Sequence, residues 1–195
     1  MGFGVWGLGF GVWGLGESIA TTVQPDGIIA TAPRTATQPA EISTLGIVLE
    51  TIQDPGNLGA IVRTAAAANA DGLLLSSDSA DLDHPKVLRA SAGAWFKLPI
   101  AVTPDLTAEV SGYKNRGMQI LATVADASLT YWEVDLRVPT LIVLGNEGSG
   151  LSPELRSLAD RQIQIPLSRG VESLNVSIAG ALILYEAQRQ RSQSM

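Results

Sequence analysis

Three stretches of the chain place glycine, amide, hydroxyl and charged side chains directly behind apolar runs, which is where open α/β sheets bind ligands. The first, TIQDPGNLGAIVRTA at 51–65, holds Asn57 and Arg63. On a helix these two lie nearly two turns apart and about 120° out of line, so they flank one cleft if Asn57 belongs to the loop leading into the helix. The second, LIVLGNEGSGLSPEL at 141–155, runs from a buried strand into three glycines, an asparagine and Glu147. Its glycines let backbone N–H groups approach a ligand closely. No lysine follows Gly150, so it is not a P-loop. The third, IQIPLSRGVESLNVSIAGALILYEAQRQR at 163–191, passes through a polar loop into a helix that opens with Ser173, Asn175 and Ser177. Those three side chains cluster donors and acceptors. Taken singly, each stretch also has a plain reading: a capped helix with an exposed arginine, a strand-to-helix turn, and a helix with Ser173 as its N-cap. The single histidine, His84, stands before Pro85 with no second histidine nearby, so neither a proton relay nor a metal site is expected from it.

The elements that must position these residues form a regular series from about Leu45 onward. Apolar, β-like runs at 46–52, 72–76, 98–102, 118–124, 140–144 and 162–165 alternate with helical patterns, which argues a largely parallel α/β sheet. Asp54 followed by Pro55 is an N-cap and first-turn signature, and the alanine-rich run behind it has high helix propensity until Asn69 offers a stop. Ser152, Pro153 and Glu154 repeat that logic. The last helix, about Leu174 to Arg191, carries Val176, Ala179, Ile183 and Tyr185 on a broad apolar face, with Arg189 and Arg191 suiting the dipole of its final turn.

Ahead of this series the chain is different. GFGVWGL occurs at 2–8 and again at 9–15, and each copy matches G-x-G-x-x-G without the preceding strand and following helix that a dinucleotide site requires. Residues 1–16 are read as a low-complexity segment outside the fold. From Ile19 to Ala32 one or two strands around Pro25-Asp26-Gly27 are expected, and a Thr/Pro/Ala-rich linker runs on to about Thr44.

With no cysteine, the chain excludes disulfides, thiolate metal sites and cysteine nucleophiles, and cytoplasmic residence is expected. No apolar run reaches the roughly 18 residues of a spanning helix, so no membrane partner is expected. The net charge of -6 disfavours a nucleic-acid partner on its own. Charge is a local matter, however, and Arg156, Arg161, Arg169, Arg189 and Arg191 leave room for a basic face in the C-terminal third.

Together, NLGAIVRTA, LGNEGSGLSPEL and IPLSRGVESLNVSIAGALILYE, in this order and at these separations, resemble the three signature motifs of the SpoU (TrmH) RNA methyltransferases. The resemblance covers about Leu45 to Arg191. TTVQPDGIIA at 21–30 also resembles the end of the small RNA-binding domain found at the N-terminus of many relatives, so 17–44 is read as a remnant of that domain with its linker, and 45–195 as the methyltransferase domain.

The resemblance implies a parallel-sheet fold whose C-terminal segment is threaded into a trefoil knot, a topology that ordinary chain-tracing rules would count as rare. It implies S-adenosylmethionine as cofactor, a homodimer, no metal, and methylation of a ribose 2′-hydroxyl in ribosomal RNA, with transfer RNA second. Residue by residue, Arg63 and Asn57 match the catalytic pair of the first motif, Glu147 the acidic residue of the second, and Ser173 with Asn175 the polar pair of the third. Gly145, Ile165 and Leu174 match cofactor-binding positions, with Thr123 a weaker match at a strand end. An arginine is charged at neutral pH, which favours a role in stabilising the 2′-alkoxide over one as a literal base. The alternative on the same fold is a catalytically inactive RNA-binding module, in keeping with the acidic charge and the short N-terminal part.

Overall fold

The computed structural model describes Phe3–Trp6, Ala30–Pro33 and residues 41–192. The chain divides into two compact units, Met1–Ala36 and Thr37–Met195. In the first, β1 (Phe3–Trp6) pairs antiparallel with β2 (Ala30–Pro33), Phe3 opposite Pro33. The first copy of the glycine-tryptophan repeat therefore supplies a strand, where the sequence reading placed none. The second copy, the turn at Pro25-Asp26-Gly27 and most of the linker lie outside the described residues.

The second unit runs β3 (Leu45–Leu49), α1 (Pro55–Ala67), β4 (Gly72–Ser76), α2 (Pro85–Ser91), a 3-10 turn (Ala94–Phe96), β5 (Ile100–Thr103), α3 (Leu106–Asn115), β6 (Gln119–Thr123), β7 (Leu129–Thr130), a second 3-10 turn (Tyr131–Glu133), β8 (Thr140–Leu144), α4 (Pro153–Leu158), β9 (Arg161–Gln164) and α5 (Val176–Ser192). Its seven strands are all parallel, in the order β5-β4-β3-β8-β6-β9-β7. This is the expected parallel α/β sheet.

Alternation along the strands sorts the core into two layers. Leu45, Ile47 and Leu49 of β3, Leu73 and Leu75 of β4 and Ile142 and Leu144 of β8 face α1, α2 and α5. Val48, Leu74, Ile120, Leu141 and Val143 face the other way, onto Leu106, Val110 and Tyr113 of α3 and Leu155 of α4. Both faces of β3, β4 and β8 are covered, which is why these strands read as continuous apolar runs. Each fully buried leucine or isoleucine contributes about 1.5–3 kcal/mol of burial free energy. At Gly59 of α1 an added Cβ would stand 2.6 Å from Val87 O and 2.6 Å from the Ala90 Cβ, so α1 and α2 touch through backbone there.

Several strand ends shift by one or two residues, and two boundaries differ for a reason the structure shows. β3 ends at Leu49, short of Ile52, because Thr51 takes the left-handed conformation (φ 55) and turns the chain out of the sheet. α5 begins at Val176, short of Leu174: Asn175, which immediately precedes the helix, accepts the Ser177 N–H on its side chain at 2.9 Å and the Ala179 N–H on its carbonyl at 3.0 Å. Asn175 thus has the capping place assigned to Ser173, which lies exposed in the loop before it. The apolar face of α5 is also narrower than expected. Val176 and Ile183 are buried, but Tyr185 joins Ile178 and Leu182 in a stripe exposed to solvent.

The C-terminal turn of α5 is latched to the sheet. Arg191 donates to the carbonyls of Leu136 at 2.8 Å and of Thr44 and Val138 at 2.9 Å, and Gln190 bonds both Leu136 N and Val134 O. Among the described residues, no helix is long and apolar enough to cross a membrane.

Candidate active site

β3 and β8 are neighbours, but the chain leaves β3 towards β4 on one side and leaves β8 towards β9 on the other. Adjacent strands whose connections diverge open a crevice beyond their carboxyl ends, and ligands of parallel sheets bind in such crevices. The loops 50–54 and 145–152 form its two lips.

The first lip is held by backbone and carboxylate. Glu50 N–H extends the ladder to Leu144 O at 3.0 Å, and its Oε2 accepts the Ser152 N–H at 2.8 Å. Thr51 is kept in its left-handed turn by Ser76 Oγ, which accepts its N–H at 2.8 Å, and by its own hydroxyl bonding Asp78 at 2.9 Å. Asp54 then caps α1, its Oδ1 accepting from Gly56 N at 2.6 Å and Asn57 N at 3.0 Å. Those bonds, the Asn57 N–H foremost and Lys86 next, hold the Asp54 carboxyl below its ordinary range. Asn57 therefore sits inside the first turn of α1, not in the loop ahead of it.

The second lip is built by Asn146, which the sequence reading passed over. Its Nδ2 donates to Thr51 O at 2.8 Å, tying the two lips together, and its Oδ1 accepts from Gly148 N at 2.8 Å and Ser149 N at 3.0 Å. The signal for this was the Asn-x-Gly-Ser order, since asparagine mimics a backbone turn two residues on. Gly145 lies against the returning chain, and an added Cβ would come within 2.4 Å of Gly150 C and O. Only glycine fits there.

Across this crevice three of the expected residues meet. Ser177 donates from N at 2.9 Å and Oγ at 2.6 Å to Asn175 Oδ1; Asn175 Nδ2 donates to Asn57 Oδ1 at 2.9 Å; Asn57 Nδ2 donates to Glu147 Oε1 at 3.0 Å. Every amide in the series accepts on its oxygen and donates from its nitrogen, and the series ends on a carboxylate. Each bond polarises the next, which locks the side chains in place.

The other expected residues are not part of that series. Arg63 lies further along α1, exposed, and its side chain makes no hydrogen bond or ion pair with another described residue. Ser173 and Leu174 are exposed in the loop before Asn175. Thr123 closes β6 beside β9, where its hydroxyl is buried without a hydrogen-bond partner. Ile165, one residue past β9, packs against the core on the α1 and α5 side. Among the described residues no group of three or more histidine, cysteine, aspartate or glutamate side chains could hold a metal ion.

A model of the SpoU rRNA Methylase family matches residues 44–185, a span that contains the first two stretches and the third as far as Tyr185. The chain belongs to the SpoU rRNA methylase family. An uncharacterized tRNA/rRNA methyltransferase of Synechocystis is 45% identical over 175 residues, covering 89% of this chain and 64% of that one. A 23S rRNA (guanosine-2'-O-)-methyltransferase of Pseudomonas syringae is 35% identical over 146 residues, covering 75% of this chain and 58% of that protein. Among solved structures, the SpoU methyltransferase AviRb from Streptomyces viridochromogenes, crystallised with AdoMet, superposes with a TM-score of 0.79 at 32% identity, over 87% of this chain and 67% of that one. The chain spans about half to two thirds of the length of three of the curated relatives it matches.

Proposed function

We propose that this chain transfers a methyl group from S-adenosylmethionine to a ribose 2′-hydroxyl of RNA, ribosomal RNA being the first choice and transfer RNA the second. The observation that carries this reading is the hydrogen-bonded series Ser177, Asn175, Asn57, Glu147, which draws one residue set from each of the three stretches to a single crevice. The names of the relatives agree with it: one acts on 23S rRNA at a guanosine 2′-oxygen, and AviRb holds AdoMet.

The cofactor supplies an electrophilic methyl group on a sulfonium. The residues that would hold it in this reading fit its chemistry: Thr123 offers a buried hydroxyl that lacks a partner, Gly145 gives backbone access, and Ile165 and Leu174 offer apolar surface. What remains for the protein is to position a weak nucleophile and stabilise the oxyanion as its proton leaves. Arg63 is the group for the second task, since its guanidinium is not neutralised by any described carboxylate. Asn57, Asn175 and Glu147 hold the lips of the crevice in register, and Ser173 shapes the loop that closes it.

In this reading the segment from β9 through α5 is threaded as a trefoil knot, and the latch of Arg191 on Thr44 fixes its far end. A homodimer is part of the same reading, and the exposed stripe of Ile178, Leu182 and Tyr185 on α5 supplies apolar surface for it. Residues 17–44 are taken as a remnant of an RNA-binding domain, and the protein as cytoplasmic.

The test is calorimetric titration with S-adenosylhomocysteine, followed by tritium transfer from labelled cofactor to unmodified total RNA. Binding with transfer supports the proposal, and Arg63→Ala should then abolish transfer while leaving cofactor binding in place. Binding of RNA without transfer would favour the inactive RNA-binding module, and absence of cofactor binding would overturn the methyltransferase reading.

A further inference from the structure

The C-terminal arginines do not form the basic face that their number led one to expect. Arg156 pairs with Asp126 at 2.8 Å, Arg189 with Glu186 at 2.7 Å, and Arg191 is turned inward onto three carbonyls. Asp78, in the loop behind β4, is used differently from the carboxylates that meet those cations. No cation pairs with it among the described residues; its Oδ2 accepts the hydroxyl of Thr51, 27 positions earlier, at 2.9 Å.

Thr51 is an unusual residue for the backbone it occupies. Among the described residues three other than glycine have positive φ: Thr51 (55), Asn69 (58) and Ala92 (47). Asparagine tolerates that region and Ala92 closes α2, but a β-branched residue there is an outlier. Strain of this kind persists only where the surroundings over-determine the backbone, and it gathers at functional sites.

The surroundings here are residues 76–80. Ser76 Oγ accepts the Thr51 N–H at 2.8 Å, Ser79 Oγ accepts the Ile52 N–H at 3.0 Å, and Asp78 O accepts from Gln53 Nε2 at 2.8 Å. In return Ala80 N–H donates to Ile52 O at 2.7 Å. The two serines are joined to each other, Oγ to Oγ, at 2.9 Å. Ser76 first and Thr51 next hold the Asp78 carboxyl below its ordinary range, so the group facing the Thr51 hydroxyl is a carboxylate.

On its other side the same turn presents the Thr51 carbonyl to Asn146, whose Nδ2 donates to it at 2.8 Å. Asn146 in turn gathers the N–H groups of Gly148 and Ser149 and exchanges backbone bonds with Gly150 at 3.0 Å. The loop so folded carries Gly145 and also Glu147, which accepts from Asn57 at 3.0 Å. Asp78 belongs to none of the three stretches that the sequence singles out.

We propose that Asp78 is a positioning residue for the cofactor site: by holding Thr51 in its left-handed turn it aims the Thr51 carbonyl at Asn146 and so sets the loop 145–150. The proposal rests on the methyltransferase reading and assigns the preorganisation of its cofactor loop to a residue on a different crossover.

The test compares two residues that both lack the hydroxyl. Valine keeps the branched shape of threonine, whereas glycine enters the left-handed region freely. S-adenosylhomocysteine is titrated calorimetrically into the full chain at 20 °C, and thermal melts are recorded on the same preparations. Asp78→Ala and Thr51→Val should each weaken binding by about tenfold, the loss expected when only a tenth of the molecules hold the competent loop. Thr51→Gly should bind at least about fivefold more tightly than Thr51→Val, and adding Asp78→Ala to Thr51→Gly should change affinity by less than about twofold. Asp78→Asn keeps an oxygen that accepts the Thr51 hydroxyl and should recover most of the lost affinity. Asp78 is exposed, so its replacement leaves the core packed.

If wild type binds S-adenosylhomocysteine and Asp78→Ala matches it, the positioning role is overturned and the methyltransferase reading stands. If Thr51→Gly binds as weakly as Thr51→Val, the hydroxyl rather than the backbone conformation is what counts, and the proposal falls. Affinity losses that merely follow melting temperature across the variants would make Asp78 a structural residue and also sink it. Wild type that binds no S-adenosylhomocysteine overturns both readings.

Discussion

Asn175 donates from Nδ2 to Oδ1 of Asn57 at 2.9 Å, closing a contact between residues 118 positions apart in the chain. Asn57 is held from the other side by Glu147, so its amide plane is set by one partner on each end. Residues that work as such a unit are not energetically independent. Asn57→Ala and Asn175→Ala should each lower the single-turnover rate of methyl transfer by about 10–100-fold, and the double variant should fall little below the worse single one. Losses that multiply would show that the two amides act separately.

Arg63 is exposed and has no ion pair with a described residue, so under the proposed function replacing it removes the charge offered to the oxyanion without removing a structural contact seen among the described residues. Arg63→Ala should reduce transfer by about 10²–10³-fold, the usual loss for one group stabilising a developing oxyanion. Arg63→Lys keeps the charge but not the planar fork and should recover part of that loss. Melting temperature should be the same for all three proteins, and a drop of several degrees would mean that Arg63 has a structural role.

The backbone of Gly150 occupies the space a side chain at 145 would need, 2.4 Å from an added Cβ. Gly145→Ala must push the two arms of the loop apart and should cost about 1–3 kcal/mol of stability. Asn146 would be displaced with it, so S-adenosylhomocysteine binding should weaken at a temperature where the variant is still folded. Calorimetry beside thermal melting separates the two effects.

Asp71 gathers the start of β3, accepting N–H bonds from Ser43, Thr44 and Leu45 and the Thr44 hydroxyl. Partial burial raises its pKa, but the bonds, Thr44 N–H foremost, outweigh burial and leave the carboxyl below its ordinary 3.8. A carboxyl whose pKa is lower folded than unfolded adds stability that is in place above the unfolded value and disappears as pH falls through the folded one. Asp71→Asn should therefore melt lower than wild type at pH 7, by about 1–2 kcal/mol, and the gap should close below pH 4. A gap independent of pH would contradict the assignment.

Arg191 supplies hydrogen bonds to Leu136, Thr44 and Val138, and a hydrophobic replacement leaves all three carbonyls without that donor. Arg191→Met should destabilise by about 1–3 kcal/mol while leaving transfer at 20 °C unchanged. Urea melts and initial rates on one preparation test this.

Much of the fold was legible because burial on both faces leaves a direct mark. The runs at 72–76 and 140–144 are strands at those bounds, and Asp54-Pro55 opens α1 as its types require. Legibility failed where a distant partner decides. Ser173 and Asn175 are both good cap residues two positions apart, and the contact with Asn57 selects Asn175. Thr51 carries no local sign of a left-handed turn, since Ser76 and Asp78 hold it there. Arg156, Arg189 and Arg191 looked like a binding face because composition cannot tell a solvated arginine from one engaged by Asp126, Glu186 or a carbonyl. The meeting of Asn57, Glu147 and Asn175 was expected through resemblance alone; periodicity offers no means of seeing it.

The place of β3 beside β8 also bears on how the molecule is made. A ribosome releases Leu45–Leu49 long before Thr140–Leu144 exists, so for most of translation the hydrogen-bonding edge that β8 will cover stands open. An open apolar edge recruits strands from other chains. Nascent protein halted before Thr140 should therefore be held by chaperones or aggregate, and release past Ser192 should bring solubility and the latch together.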